Sequence, residues 1–140
     1  MSKAVDKGSK WRKRIEDFLT DEGIPPRRQA LYGLNDRGDI HVGPHESPVV
    51  IEAKDRARHD LSGWLDEANE ECGNAGGQLG VVWFHRRGRS DAAGGYVLMS
   101  GQDFAYLLRE AGLTGAWTAC GRAVTAPRPG SRGCGSRGRG

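Results

Sequence analysis

Apolar residues recur along the chain with a period that changes from helical to alternating and back. Trp11, Ile15, Phe18 and Leu19 stand at the i, i+4, i+7, i+8 spacing of an amphipathic helix, which predicts a helix over residues 10–22. Gly23 and the Pro25-Pro26 pair close it. Residues 27–38 are mixed: 29–34 could form a short strand, followed by the turn-rich run Asn35, Asp36, Arg37, Gly38. The period then falls to two, and residues 39–42 and 48–54 read as strands joined by a loop of hairpin length over 43–47. Helical spacing returns over 61–72, with Leu61, Trp64, Leu65, Ala68 and Cys72 on one face and Asp66, Glu67, Glu70 and Glu71 on the other. Residues 78–84 read as a strand buried on both faces, because Val81, Val82, Trp83 and Phe84 show no alternation. After an arginine-rich loop comes a short strand over 96–99. Ser100 with Asp103 then caps a last helix whose inner face is Phe104, Leu107, Leu108 and Ala111, stopped by Gly112.

Helix, three strands, helix, two strands, helix is an α/β order, and it contains no internal repeat. A chain of 140 residues fits a single domain. The expected organisation is a flexible N-terminus over 1–9, a folded domain over 10–120, and a disordered tail over 121–140. The tail is rich in arginine and glycine with almost nothing to bury, so it is either a solubilising segment or a source of added phosphate affinity.

Charge sharpens this division. The formal net charge is +3, but residues 121–140 hold five arginines and no acid, so residues 1–120 sum to −2 with 16 basic against 18 acidic side chains. The longest apolar stretch falls far short of the roughly 20 residues a membrane span needs. The charged N-terminus does not resemble a secretory signal, and a cytoplasmic location is expected. Cys72, Cys120 and Cys134 form no C-x-x-C pair, which argues against a disulfide framework or a zinc ribbon.

The chemistry concentrates in the two paired strands. Alternation puts Asp39 and His41 on one face of the first strand and groups Val50, Glu52 and Lys54 on one face of the second. A hairpin pairing brings Asp39, Glu52 and Lys54 together beside an apolar segment. Two carboxylates about 4 Å apart repel by ~1 kcal/mol in water and ~4 kcal/mol at an effective dielectric near 20, so a proton or a cation normally relieves such a pair. Mg²⁺ takes one or two carboxylates with waters and phosphate oxygens, and Mn²⁺ can substitute for it. The expected metal ligands are Asp39, Glu52 and the backbone carbonyl of Ala53, with Lys54 placed to assist an attacking water.

Gly38-Asp39-Ile40 and Glu52-Ala53-Lys54, with twelve residues between Asp39 and Glu52, resemble the PD-(D/E)XK nuclease motif, with Gly38 standing where that family often has proline. Within the family the chain is most similar to the small archaeal-type Holliday junction resolvases, also found in phages. These carry a further glutamate in the first helix, matched by Glu16, and an arginine before the aspartate, for which Arg28 and Arg37 both stand available. The likeness spans roughly residues 11–108. It implies a restriction-endonuclease-like core, a mixed central sheet flanked by helices in α-β-β-β-α-β order. It also implies a Mg²⁺-dependent endodeoxyribonuclease in which Asp39, Glu52, Lys54 and Glu16 are catalytic, leaving 5′-phosphate and 3′-hydroxyl ends. The implied substrate is a four-way DNA junction, and paired symmetric nicks imply a homodimer from a phage or bacterial source. A duplex-cutting or repair nuclease of the same fold is the alternative. A nucleic-acid-binding module without catalysis is another.

Further basic residues bear on DNA. Arg86, Arg87 and Arg89 share a glycine-containing loop and, with Arg28 and Arg37, are expected DNA contacts whose binding would be salt-sensitive. His41 reads as a surface hydrogen-bonding residue, and the H-x-x-x-H spacing to His45 is interrupted by Gly43-Pro44, against a zinc site. Trp64 and Trp83 sit in apolar patterns that favour packing over base stacking, and Cys72 reads as an inert buried thiol.

Overall fold

A computed structural model describes residues 3–29 and 38–115, with side chains from residue 7 onward. Asp36, Arg37, Cys120, Cys134 and the expected tail lie outside the described residues. Helix α1 spans Lys3–Asp21, so its start is seven residues earlier than expected, and residues 3–9 are helical. That first stretch carries no apolar stripe for a period to reveal. Once the segment from Trp11 is packed, extending an existing helix needs no new nucleus. Trp11, Ile15 and Leu19 are buried as the spacing requires.

Strand β1 is Arg27–Arg28, and residues 30–34 of the segment expected to be extended lie outside the described residues. β2 (Ile40–Val42) and β3 (Val49–Lys54) form the expected hairpin. Helix α2 (Leu61–Ala75) follows, its first turn capped by the Asp60 carboxylate accepting the Gly63 N–H. β4 (Leu79–Phe84) and β5 (Tyr96–Leu98) complete one sheet of order β1-β2-β3-β4-β5. The β3–β4 pair is parallel and the other pairs are antiparallel, so the sheet is mixed. A parallel pair demands a crossover, and α2 supplies it. The α/β class, the mixed sheet and the element order thus agree with the sequence reading.

Alternation along β4 sends side chains to both faces. Val82 and Phe84 pack with Trp64 and Ala68 of α2. Trp83 points the other way, where its ring meets Phe18 of α1 edge-on at 5.9 Å and its carbonyl accepts the Trp11 indole N–H at 3.0 Å. The sheet is therefore flanked, α1 on one face and α2 on the other. Gly80 sets how close α2 comes: a Cβ there would lie 2.5 Å from the backbone oxygen of Ala68. No other residue type fits at that approach.

The chain divides into two compact units, residues 1–103 and 104–140, and the whole sheet belongs to the first. Helix α3 runs Gly101–Glu110 and begins with Ser100 Oγ accepting the Asp103 N–H. Its expected inner face is not buried: Phe104 is 53% exposed, Ala111 is exposed, and Leu107 and Leu108 are only half-buried. A helical period reports which residues share a side, not whether anything covers it. Among the described residues no helix is long and apolar enough to cross a membrane.

Candidate functional site

The hairpin register places Ile40 opposite Ile51, and the Asp39 N–H donates to the Ile51 carbonyl at 3.2 Å. Asp39 thus stands across from Glu52, as alternation expected. Its carboxylate is held at both oxygens: Oδ2 accepts the Ala53 N–H at 3.0 Å and Oδ1 accepts Arg12 Nη1 at 3.1 Å. Gly38, just before it, has φ +80°, and a Cβ there would lie 2.4 Å from Val50 Cγ1. Both the backbone angle and the space require glycine at this position.

Glu52 and Lys54 lie two residues apart on β3 and point toward α2. The Lys54 ammonium sits 3.0 Å from Glu52 Oε1 and 2.7 Å from Glu67 Oε2 on the helix. Glu71, one turn further along α2, is 3% exposed and lies beside Glu52. One carboxylate oxygen from each of Glu52, Glu67 and Glu71 falls within 4.8 Å of the others. This cluster shares only Glu52 with the expected ligand set. Asp39 is outside it, and Ala53 contributes its N–H to Asp39.

Burial and the neighbouring charge of Asp39 push the Glu52 carboxyl up to about 7, although Lys54 and Glu71 act in the opposite sense. Burial also works against the charge on Lys54, but its contacts with Glu67 and Glu52 outweigh that and raise its pKa. The two shifts have one origin. A charge taken from water here is tolerated only when an opposite charge meets it.

Glu16 does not join the carboxylates. It forms a two-point pair with Arg28, Oε1 to Nε at 3.0 Å and Oε2 to Nη2 at 2.9 Å, which raises the arginine's pKa. Arg28 pairs with Ile40 across the β1–β2 ladder, next to Asp39, whose charge it also feels. Of the two arginines left open by the sequence, Arg28 is therefore beside the aspartate, and Arg37 lies outside the described residues.

The sequence reading missed Glu67 and Glu71 as site residues and put Glu71 on the outer acidic face of the helix. The buried stripe is Trp64, Ala68, Glu71 and Cys72. Leu61, expected inside, is 46% exposed. The spacing carried the signal: Glu71 is at i+7 from Trp64 and i+3 from Ala68, squarely within the stripe. Its charge hid it, because a glutamate was read as polar rather than by its angle.

His41 is likewise buried, at 6% exposure, and is not a surface residue, whereas His45 is exposed. Trp64 and Trp83 pack against rings and strands, and burial pushes the Cys72 thiol up. The loop arginines do not act as one patch. Arg89 pairs with Asp91 at 3.0 Å, Arg86 lies 5.6 Å from the Tyr96 ring centroid, and Arg87 lines a cleft.

Three carboxylates this close cannot all be charged without a cation, and Lys54 supplies one charge. The donor set consists of hard oxygens, suited to a hard divalent ion, so Glu52, Glu67 and Glu71 could hold a metal. No family model and no curated protein matches this chain.

Proposed function

We propose that the protein is a Mg²⁺-dependent endodeoxyribonuclease of the PD-(D/E)XK type, acting on four-way DNA junctions as a homodimer. The observation that carries this reading is the facing of Asp39 and Glu52 at the end of the β2–β3 ladder with Lys54 two residues on, Glu52 and Lys54 lying under an acid-bearing helix. The chain departs from the family at Gly38: proline is confined to φ near −65° and could not adopt the angle found there.

Glu52, with Glu67 and Glu71, would hold the cation, which when bound supplies positive charge to a phosphoryl oxygen. Lys54 is positioned by two carboxylates so that its ammonium can donate to an attacking water or to a non-bridging oxygen. Asp39 is fixed in orientation by Arg12 and the Ala53 N–H, so it adds negative charge beside Glu52 without rotating away. Glu16 acts one step back, holding the Arg28 guanidinium next to Asp39. The expected chemistry is in-line attack by water, leaving a 5′-phosphate and a 3′-hydroxyl.

Incubation with a synthetic four-way junction and with a linear duplex of the same sequence tests this reading. Each is run with Mg²⁺, Mn²⁺ or chelator, with Glu52→Ala and Lys54→Ala alongside. Paired symmetric nicks on the junction alone are expected, lost in chelator and in both variants. Equal cutting of both substrates leaves a nuclease without junction specificity. No metal-dependent cleavage of either DNA removes the enzyme reading altogether and leaves a binding module.

A further inference from the structure

Beyond the acid cluster the charge reverses. β3 ends at Lys54, and the next residues, Asp55 and Arg56, together with Lys7, His59, His85 and Arg87 line a cleft of about 360 Å³. The cleft starts one residue past the candidate catalytic lysine, and the His85 backbone N–H donates to the Lys54 carbonyl at 3.0 Å. Its size is that of a small-ligand site and does not suit a duplex.

The cations of this cleft differ from those around the acids. Arg12, Arg28 and Lys54 are each paired with a carboxylate. Lys7, Arg56 and Arg87 have no ion pair among the described residues, although the chain places all three on one concavity. The one acid there, Asp55, is engaged by His85 Nδ1 at 3.1 Å, while His85 Nε2 faces the carbonyl of Arg89. Both ring nitrogens of His85 are thus engaged by oxygen atoms, and the Asp55 carboxylate is turned toward His85. The ring of His59 forms part of the wall and is braced by Phe84 and Trp64, with centroids at 5.1 and 5.5 Å.

A second cleft of about 240 Å³ adjoins the first, sharing Lys7, Asp55 and His85 and adding Lys10 and Arg14. Lys7, Lys10 and Arg14 fall at i, i+3, i+7 on α1, so they form a basic stripe along one side of the helix. Arg14 is held in place by donating to the Ser90 carbonyl at 3.1 Å.

We propose that these two clefts form a trough for one DNA strand leaving the reaction centre. The first receives a phosphate on Arg56 and Arg87 with its nucleoside against His59, and the second receives the adjacent phosphate on Lys10 and Arg14. The placement beside the scissile bond rests on the nuclease reading; the binding of consecutive phosphates does not.

Thymidine 3′,5′-bisphosphate carries two such phosphates on one nucleoside and serves as the probe. The full chain in chelator, where no cleavage occurs, is titrated with it while the histidine ring signals are followed by proton NMR. Saturable shifts of His59 and His85 are expected, with His45 unmoved. Arg56→Ala/Arg87→Ala should weaken binding by about tenfold or more, and Arg56→Lys/Arg87→Lys should retain most of it. Lys10→Ala/Arg14→Ala should reduce the bisphosphate to the affinity of thymidine 5′-monophosphate. Equal shifts of all four histidines, or unchanged affinity in Arg56→Ala/Arg87→Ala, overturn the proposal. If DNA is cut but the probe leaves His59 and His85 unmoved, the trough falls and the nuclease stands. If the probe binds as described but no DNA is cut, the trough stands and the nuclease falls.

Discussion

Under α1 the sheet is sealed by Trp11, Ile15 and Leu19, none more than 6% exposed, whereas under α2 the same sheet buries Glu52 at 9% and Glu71 at 3% beside Trp64 and Ala68. Two helices of similar length thus cover one sheet in opposite ways. Apolar contact on the α1 side gains free energy for every Å² removed from water. Carboxylates on the α2 side lose hydration, and an ion pair rarely returns all of it. The α1 side is closed by apolar contact alone, whereas the α2 side adds buried carboxylates to its apolar cluster of Trp64, Ala68, Val82 and Phe84.

The comparison breaks most severely if the α2 face is only structural. Glu52→Ala should lower DNA cleavage on the order of 10³-fold or more while far-UV circular dichroism stays native. Cleavage at the parental rate would mean that the buried acids serve no chemistry. On the other face, Trp11→Ala removes a side chain 1% exposed together with its hydrogen bond to the Trp83 carbonyl. Urea denaturation should show a loss of about 3–5 kcal/mol, and a loss below about 1 kcal/mol would place the main core elsewhere.

The pH dependence separates the faces more finely. Glu52 titrates near 7 in the folded chain against an ordinary 4.5, because burial and Asp39 disfavour its charge. Between those values the native state binds more protons than the unfolded one, so stability falls as pH rises from about 4.5 to about 7 and then levels off. In chelator the parent protein should be less stable at pH 8 than at pH 4.5 by about 3 kcal/mol from this group, and Glu52→Gln should remove that difference. A parallel pH profile in the variant would put the titration elsewhere. The smallest effect belongs to a charge pair outside both faces: Lys13 and Asp17, 3.1 Å apart, are 68% and 62% exposed. Asp17→Ala should change stability by less than about 0.5 kcal/mol, and a larger loss in the same denaturation experiment would mean that solvated ion pairs, and not burial alone, hold α1 in place.

Much of this could be read along the chain because it depends on neighbours in sequence. The α1 stripe, the β2–β3 hairpin and the shared face of Asp39, Glu52 and Lys54 all follow from period and turn chemistry. What was hidden depends on partners remote in sequence. Glu71 sits at an inward angle, but only the parallel β3–β4 crossover shows that it meets Glu52. Arg28 could not be placed beside Asp39 until β1 paired with β2. Lys7, Arg56 and Arg87 come from a helix and two post-strand loops, and nothing local assigns them to one cleft.

The hydrogen in place of a methyl group at residue 80 acts as a missing shim. Because α2 rests on that strand with an Ala68 oxygen where a Cβ would be 2.5 Å away, its height above the sheet is fixed by contact and not by the acids it carries. Glu67 and Glu71 ride on the same rigid rod as Ala68. A substitution at Gly80 would therefore lift both carboxylates away from Glu52 together, opening the cluster from below without altering any of its members.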